Sequence, residues 1–289
     1  MTITRRTLLK TAAAGAVAAA ATPAQAAERK TLAPDAEGLL YDSTLCIGCR
    51  ACVTKCKEAN KLPSDVREIE GVAYDAPEDL NASTKTVIQL WADDERSAYI
   101  TRQCMHCLDP ACVTACMIKA FRKGPKGIVT YEVDRCLGDR YCQVACPFNV
   151  PKFEWSKAFP VMVKCELCRH RKEGPACSEA CPRDAVISGK VTDLKAVAHR
   201  RMAENPGKYN PRVFGEKEAG GTQCLYLAPA GVEFEQLGFP KLDDRPIPEM
   251  AVTIQHGIYA YGIFPIVGFI GLGLVVSRNR KKAEKEGTK

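Results

Sequence analysis

Short apolar runs alternate with polar stretches along most of the 289-residue chain, and this pattern predicts a mixture of short strands and helices. Runs rich in β-branched and aromatic residues predict strands at residues 86–91, 97–101, 128–133 and 185–191. An amphipathic pattern predicts a helix at 192–204, and a short helix is expected after each group's fourth cysteine, as at 54–60. Residues 62–85 and 205–222 are polar and rich in proline, glycine and charge, so we expect insertions or surface loops there.

The longest apolar run lies near the C-terminus, where residues 254–276 form 23 consecutive positions without a charged side chain. At a rise of ~1.5 Å per residue, a helix of this length crosses the ~30 Å hydrocarbon core of a bilayer. A basic segment, 277–289, follows directly and would remain in the cytoplasm by the positive-inside rule. We therefore predict one C-terminal transmembrane helix at 254–276 and a cytoplasmic tail at 277–289. A buried helix of the soluble domain is the alternative.

The N-terminus has the features of an export signal. Arg5 and Arg6 precede an alanine-rich apolar stretch that ends in the small-x-small sequence of Ala24 and Ala26. This order predicts a signal peptide at 1–26. The arginine pair resembles the twin-arginine export signal, and an ordinary secretory signal or a short anchor is the alternative. Both ends then predict one topology, a single-pass inner-membrane protein whose globular domain is periplasmic and is exported by the twin-arginine route.

The net charge of +7 comes from the two ends of the chain. Residues 1–26 contribute +3 and residues 278–289 contribute +4, which leaves the middle of the chain neutral overall. A globally basic body, which would favour nucleic-acid binding, is therefore not indicated. We expect the membrane, and no nucleic acid, among the partners.

Sixteen cysteines are the most informative part of the composition, and all but Cys224 fall into four groups. The groups are Cys46, Cys49, Cys52 and Cys56; then Cys104, Cys107, Cys112 and Cys116; then Cys136, Cys142 and Cys146; and last Cys165, Cys168, Cys177 and Cys181.

The first group has the spacing of bacterial ferredoxins, in which two, two and three residues separate successive cysteines. Three thiolates on a tight turn can surround one [4Fe–4S] cluster, while the fourth serves a neighbouring cluster. Four groups of this kind therefore predict four clusters. Zinc sites and a disulfide framework are the alternatives, but neither accounts for four groups that each end in Cys-x3-Cys.

Beyond the cysteines, the stretches 40–46, 103–107, 164–168, 220–223 and 240–244 carry a family resemblance. With the motifs, they resemble the iron–sulfur subunits of respiratory oxidoreductases such as formate dehydrogenase, dimethyl sulfoxide reductase and polysulfide reductase. They are most similar to the ferredoxin-type subunit of hydrogenase-2-type NiFe hydrogenases. The resemblance implies an α+β fold of tandem bacterial-ferredoxin-like domains at 27–245 with loop insertions, plus the C-terminal transmembrane helix.

The same resemblance implies which cysteines share a cluster, and we name the four sets sites 1 to 4. Site 1 is Cys46, Cys49, Cys52 and Cys181; site 2 is Cys56, Cys165, Cys168 and Cys177; site 3 is Cys104, Cys107, Cys112 and Cys146; and site 4 is Cys116, Cys136 and Cys142. Sites 1 to 3 would each hold a [4Fe–4S] cluster with full cysteine ligation.

Site 4 departs from the family pattern, because Asp139 occupies the middle cysteine position of the third group. A carboxylate is a harder ligand than a thiolate and binds cluster iron less well. Two outcomes follow, an Asp139-ligated [4Fe–4S] cluster or a [3Fe–4S] cluster that lacks one iron. An empty site with a solvated Asp139 is the third alternative.

One cysteine and three histidines have side chains that can bind metal but lie outside the four cysteine sets. We expect Cys224 to be a buried or partly buried free thiol. His106 and His170 lie beside cluster cysteines and are expected to be hydrogen-bonding neighbours. His256 would be an ordinary side chain at the membrane interface, and contact with a haem or quinone of a partner is the alternative.

The resemblance implies an electron-transfer subunit that is not itself catalytic, and the sequence contains no P-loop, dinucleotide-binding glycine motif or Ser/His/Asp arrangement. The chain would relay electrons between hydrogenase small and large subunits, or another periplasmic catalytic subunit, and an integral membrane subunit that reacts with quinone. The alternatives are the same role in a formate dehydrogenase or molybdopterin reductase and, more remotely, a cluster-dependent redox sensor.

Overall fold

The structure is a computed structural model, and its description covers residues 30–64, 66–69, 72–75, 77–155, 160, 162–248 and 263–286. The predicted signal peptide, His256 and the first part of the predicted membrane helix lie outside these residues. Contacts within the chain define two units, Arg29–Pro248 and a second unit that combines the terminal segments Met1–Glu28 and Glu249–Lys289.

The first unit contains short strands and helices that alternate along the chain. The strands are β1 (Glu37–Asp42), β2 (Val66–Ile69), β3 (Val72–Asp75), β4 (Thr86–Ala92), β5 (Ser97–Gln103), β6 (Phe121–Lys123), β7 (Val129–Tyr131), β8 (Lys152–Phe153), β9 (Met162–Val163), β10 (Val186–Lys190) and β11 (Cys224–Leu227). The helices are α1 (Ala51–Ala59), α2 (Ala111–Ala115), α3 (Tyr141–Ala145), α4 (Ala176–Glu179) and α5 (Val191–Glu204).

Consecutive strands form antiparallel hairpins, β2 with β3, β4 with β5, β6 with β7 and β8 with β9. A three-stranded sheet joins distant parts of the chain in the order β10-β1-β11. In that sheet β1 runs antiparallel to β10 and parallel to β11. This mixed α+β architecture agrees with the predicted fold class.

Most local predictions agree with the structure. Strands β4, β5 and β10 confirm those predicted at 86–91, 97–101 and 185–191, and α5 confirms the helix at 192–204. The strand predicted at 128–133 is shorter, because the chain turns into a 3-10 helix at Val133–Arg135 before Cys136.

The expectation that a short helix follows each fourth cysteine is wrong. Helix α1 contains both Cys52 and Cys56, whereas α2, α3 and α4 contain the next-to-last cysteine of their groups and end before the last. The physical reason is the Cys-x3-Cys spacing, which corresponds to about one turn of helix. The turn therefore forms between the two cysteines.

The predicted loops also differ from expectation. Residues 62–85 include the β2–β3 hairpin. The interpretation of 205–222 as a surface loop is wrong, because Tyr209, Val213 and Phe214 are buried there. The ring of Phe214 packs 5.0 Å from that of Phe234 and 4.5 Å from that of Phe239 in the main hydrophobic core. An apolar core therefore lies beside the cysteines.

In the second unit the described part is one helix, α6 (Ile263–Glu286). Its apolar residues Phe269 and Leu274 are largely exposed. Across the described residues, no helix has both the length and the apolar character needed to span a bilayer.

Candidate metal centres

The cysteines of site 1 converge although Cys181 is far from the others in sequence. All four line one small cavity of about 20 Å³, together with Tyr41 and Ile47. Burial raises the pKa of Cys52 to about 12, and Cys46, Cys181 and Cys49 add to that rise as electrostatic neighbours. The structure therefore brings together the set that the resemblance implies.

Site 2 combines the last cysteine of the first group with three of the fourth. Burial raises the pKa of Cys177, and Cys165, Cys56 and Cys168 are among the neighbours that add to the rise. The side-chain amide of Asn60 lies 3.7 Å from Cys56 Sγ and 3.9 Å from Cys168 Sγ, so one side chain contacts thiols from both groups.

Site 3 is also assembled from two groups. Burial raises the pKa of Cys107, and Cys146, Cys104 and Cys112 are the neighbours that add most to it. The four thiols of the predicted set are therefore near one another, and they are buried or partly buried.

Site 4 brings Cys116, Cys136 and Cys142 together beside Asp139. Burial raises the pKa of Cys142 to about 12, and Cys136, Asp139 and Cys116 add to that rise in this order. The side chain of Asp139 is exposed, whereas Cys116 and Cys142 are buried. The carboxylate therefore stands at the solvent side of the set.

The loop of site 4 repeats the backbone of the loop of site 1. The corresponding positive φ angles are 71° at Gly48 and 76° at Gly138, and 57° at Arg50 and 61° at Arg140. Cys49 and Asp139 lie between these pairs. At Gly48 a side chain is also excluded by space, since a Cβ would lie 2.4 Å from the ring of Tyr99. Asp139 thus occupies the backbone position that Cys49 occupies in site 1.

The donor chemistry of the sites fits clusters of iron and sulfide. All sixteen cysteines lie among the described residues, and each is a free thiol in this structure. Within the described residues, no three cysteine, histidine or acidic side chains converge closely enough for a single metal ion. Thiolates around a four-iron cube stand farther apart than those around one zinc ion, whose Zn–S distances are about 2.3 Å.

A buried ring nitrogen at site 3 supports the same fit. His106 is fully buried, and the backbone N–H of Val129 donates to its Nδ1 at 3.0 Å. The neutral ring therefore carries its proton on Nε2. Among the described residues this Nε2 has no hydrogen-bond partner. A sulfur-rich group in site 3 would supply an acceptor.

Thiols of one site affect the pKa of thiols in the adjoining site, and these influences give the order of the four sites. Beyond burial, Cys52 of site 1 contributes to the raised pKa of Cys177 in site 2. In the same way, Cys104 of site 3 contributes at Cys165 of site 2. Cys142 of site 4 contributes at Cys112 of site 3. The sites therefore form a row, 1-2-3-4, in which each site adjoins the next.

Two lysines beside site 3 belong to the site although sequence reasoning missed them. Lys123 Nζ donates to the carbonyl of Cys107 at 2.7 Å, and Lys164 Nζ donates to the carbonyl of Cys165 at 3.0 Å. Lys164 is buried. Burial lowers the pKa of Lys123 to about 8, while the thiols of Cys107, Cys104, Cys224 and Cys112 act in the opposite direction. Lys164 lies in the stretch 164–168 that carries the family resemblance, but no local sequence signal assigns either lysine to a cluster site.

The remaining predicted residues have simple roles. Cys224 is a buried free thiol, as predicted, and its Sγ donates to the carbonyl of Cys104 at 3.2 Å. His170 is a hydrogen-bonding neighbour, since its Nε2 lies 3.1 Å from the carbonyl of Ala59 at the end of α1. Both histidines of the described sites therefore make contacts with the backbone.

Known proteins with similar sequences are consistent with this site chemistry. A family model described as a 4Fe–4S dicluster domain matches residues 96–191. The hydrogenase-2 operon protein HybA of Escherichia coli O157:H7 is 41% identical over 325 aligned positions, which cover 98% of each chain.

Formate dehydrogenase subunits match a shorter part of the chain. The formate dehydrogenase iron–sulfur subunit of Haemophilus influenzae is 35% identical over 65% of this chain and 63% of its own length. The nitrate-inducible formate dehydrogenase iron–sulfur subunit of Escherichia coli K12 is 34% identical over 65% of this chain and 66% of its own.

Proposed function

The chain belongs to the family of the hydrogenase-2 operon protein HybA, and on that premise we propose that it is the iron–sulfur electron-transfer subunit of a membrane-bound periplasmic hydrogenase. It relays electrons between the hydrogenase small and large subunits and an integral membrane subunit that reacts with quinone. The chain itself is not catalytic.

The observation that carries this proposal is the row of four cysteine sets. Neighbouring sets adjoin through Cys52 and Cys177, through Cys104 and Cys165, and through Cys112 and Cys142. An arrangement of adjoining redox sites suits a relay, because an electron moves only between centres that are close together. A protein that only sensed the redox state would not need four adjoining sites.

The cofactors in this proposal are three [4Fe–4S] clusters with full cysteine ligation at sites 1 to 3. Site 4 holds either an Asp139-ligated [4Fe–4S] cluster or a [3Fe–4S] cluster. When bound, such clusters take up and release single electrons, at potentials set by ligation, charge, hydrogen bonds and solvent exposure. The residues of the chain hold the clusters in order, shield them from water and provide the surrounding charge.

Exposed apolar residues around site 4 support a partner at that end of the row. Met117, Leu137 and Val144 are 76%, 67% and 85% exposed, and each lies within two residues of a site 4 cysteine. The guanidinium of Arg140 lies 3.8 Å from the ring centre of Trp155, which is itself exposed. Clustered apolar side chains on a surface are typical of protein contacts.

The proposal includes export by the twin-arginine route and a C-terminal anchor at 254–276. The arginine pair at Arg5 and Arg6 supports the first, and the 23 uncharged residues followed by a basic tail support the second. Exchange of both arginines for lysine should leave the chain in the cytoplasm. Deletion of 254–289 should release it from washed membranes into the periplasm.

A tagged full-length chain purified from detergent-solubilised membranes tests the hydrogenase assignment. We expect a nickel-containing large subunit to co-purify, with more than about fifteen iron atoms per copy of this chain, because the hydrogenase subunits add their own iron to that of the four clusters. The same preparation from cells with an untagged chain is the control. Co-purification of a molybdopterin subunit would overturn the hydrogenase assignment.

The second candidate function is the same electron-transfer role in a formate dehydrogenase. It is supported by the two formate dehydrogenase iron–sulfur subunits that are 35% and 34% identical to this chain. Their similarity covers 65% of this chain, whereas that to HybA covers 98%. Molybdenum in the purified complex, with formate-dependent dye reduction, would establish this alternative.

A further inference from the structure

A lysine ammonium group lies directly under the loop of site 3. Lys123 Nζ donates three hydrogen bonds, to the carbonyls of His106 at 3.1 Å and Cys107 at 2.7 Å and to Gln223 Oε1 at 2.6 Å. Three acceptors match the three N–H bonds of an ammonium ion, so this geometry selects the charged form. The Lys123 charge is therefore fixed in place beside three of the four site 3 thiols, which are among its electrostatic neighbours.

A second ammonium group lies between sites 2 and 3. Lys164 is 2% exposed, and its Nζ donates to the carbonyls of Val129 and Cys165. Its charge opposes the rise that burial causes in the pKa of Cys112 and of Cys165. One cation thus acts on thiols of both inner sites. It uses two of its three N–H bonds in these carbonyl contacts.

The outer sites have a different charge environment. At site 1 the strongest influences on the pKa of Cys52 are burial and the thiols of Cys46, Cys181 and Cys49, while Arg50 and Arg183 also line the cavity. At site 4 the strongest influences on Cys142, after burial, are Cys136 and the carboxylate of Asp139. Fixed lysines therefore adjoin site 3, while an additional negative group adjoins site 4.

We propose that Lys123 and Lys164 raise the reduction potential of the cluster at site 3 above the value it would have without their charges. This inference rests on the proposed function, because it requires clusters in the sites. Reduction adds one electron, supplied by an external reductant or a neighbouring centre, and no bond forms or breaks. The added negative charge is stabilised by a nearby fixed cation, and the stabilisation is strong where water is excluded.

Redox titration followed by EPR, on the full chain in its purified membrane complex, measures this effect. Lys123→Met and Lys164→Met remove the charge but keep a flexible apolar stem. Each should lower the equilibrium constant for reduction at site 3 by at least about tenfold, which is ~59 mV for a one-electron couple. The EPR signal whose reduction potential changes should be the signal that is lost in the Cys112→Ala variant.

Matched variants separate charge from packing. Lys126→Met removes an exposed lysine that lies three positions from Lys123. Lys126 pairs with Glu37 at 2.5 Å, and its replacement should leave every potential unchanged. Lys123→Arg and Lys164→Arg keep the charge and should hold the site 3 potential near that of the unaltered protein. A shift of equal size in the Met and Arg variants would overturn the proposal, since it would indicate packing alone.

Other outcomes are also decisive. Met variants with full iron content and unchanged potentials would overturn the proposal. If the Met variants lose the site 3 cluster, the Arg variants decide. Arg variants that retain the site 3 cluster at the potential of the unaltered protein support the role of charge. Arg variants that lose this cluster to the same extent as the Met variants refute it. Absence of any 4Fe–4S signal in the unaltered protein would instead refute the proposed function.

Discussion

Asp139 stands where site 1 has Cys49, with matching positive φ angles on both sides of the two residues. The backbone therefore places Asp139 at the loop position that Cys49 occupies in site 1, where a carboxylate replaces a thiol. Carboxylate oxygen binds cluster iron less well than thiolate sulfur does. Because Asp139 is also exposed, water can compete for the iron it faces. At the residue scale, site 4 is thus the site whose iron content depends on one side chain.

Asp139→Cys should convert site 4 into an ordinary all-cysteine [4Fe–4S] site, because the backbone already matches that around Cys49. The expected result is loss of any [3Fe–4S] or unusual EPR signal and appearance of a fourth ordinary signal. The reciprocal variant, Cys49→Asp, should transfer the unusual signal to site 1. An EPR spectrum that Asp139→Cys leaves unaltered would contradict the idea.

Cys224→Ala should leave the iron content and all EPR signals in place, since Cys224 belongs to none of the sets and its Sγ contacts only neutral groups, the carbonyl of Cys104 at 3.2 Å and the side-chain amide of Gln103 at 4.0 Å, among the described hydrogen bonds. Loss of one neutral hydrogen bond costs about 1 kcal/mol. Cys104→Ala is the matched comparison and should abolish the site 3 signal. Iron analysis of the two purified variants makes the test, and equal iron loss in both would show that Cys224 is a ligand.

The cysteine sets could be anticipated from sequence because their spacing reflects local geometry shared by a known family. The lysines of site 3 could not. Lys123 is held by the carbonyls of His106 and Cys107 and by Gln223, which lies 100 positions later, and no local pattern contains these contacts. Lys164 is buried by the loops that surround Val129 and Cys165, which again come from separate parts of the chain.

At the scale of elements, the sequence predicted what is local. The β4–β5 hairpin follows from two adjacent apolar runs, and α5 follows from its amphipathic period. The β10-β1-β11 sheet was not predicted, because its strands meet across more than half of the chain. Residues 205–222 are polar in composition, yet Phe214 is buried against aromatic rings that follow later in the sequence.

Asp42 ties several of these elements together and is fully buried. At the end of β1 its carboxylate accepts from Arg201 of α5 at 3.0 Å, from Tyr209 at 3.0 Å and from Thr44 at 2.7 Å. Asp42→Ala should lower the free energy of unfolding by about 3–5 kcal/mol, because it leaves a partly buried guanidinium and a buried hydroxyl without this acceptor.

Urea denaturation followed by circular dichroism, under anaerobic conditions, measures the loss. Glu58→Ala is the control, because Glu58 forms an exposed ion pair with Lys55 at 3.0 Å, and such pairs contribute about 0–1 kcal/mol. If Asp42→Ala and Glu58→Ala have the same urea midpoint, the buried carboxylate does not join the sheet to α5 in the way described.

At the scale of the whole molecule, the order of the sites has a consequence for electron flow. Adjoining thiols among the described residues link site 1 to site 2, site 2 to site 3 and site 3 to site 4, so an electron that follows this row passes through every site. Cys112→Ala interrupts site 3, in the middle of the row. The intact outer sites are then separated by a gap, while a catalytic partner at one end is untouched.

Hydrogen-dependent quinone reduction by membranes with Cys112→Ala should therefore fall by about tenfold or more, since the lost centre raises the barrier to transfer. Dye reduction, which draws electrons directly from the catalytic subunits, should persist. Cys224→Ala membranes are the control and should retain both activities. Immunoblots and the EPR signals of the other sites establish that the interrupted chain is assembled. If quinone reduction continues at the unaltered rate in such membranes, electrons bypass site 3, and the row is not the path.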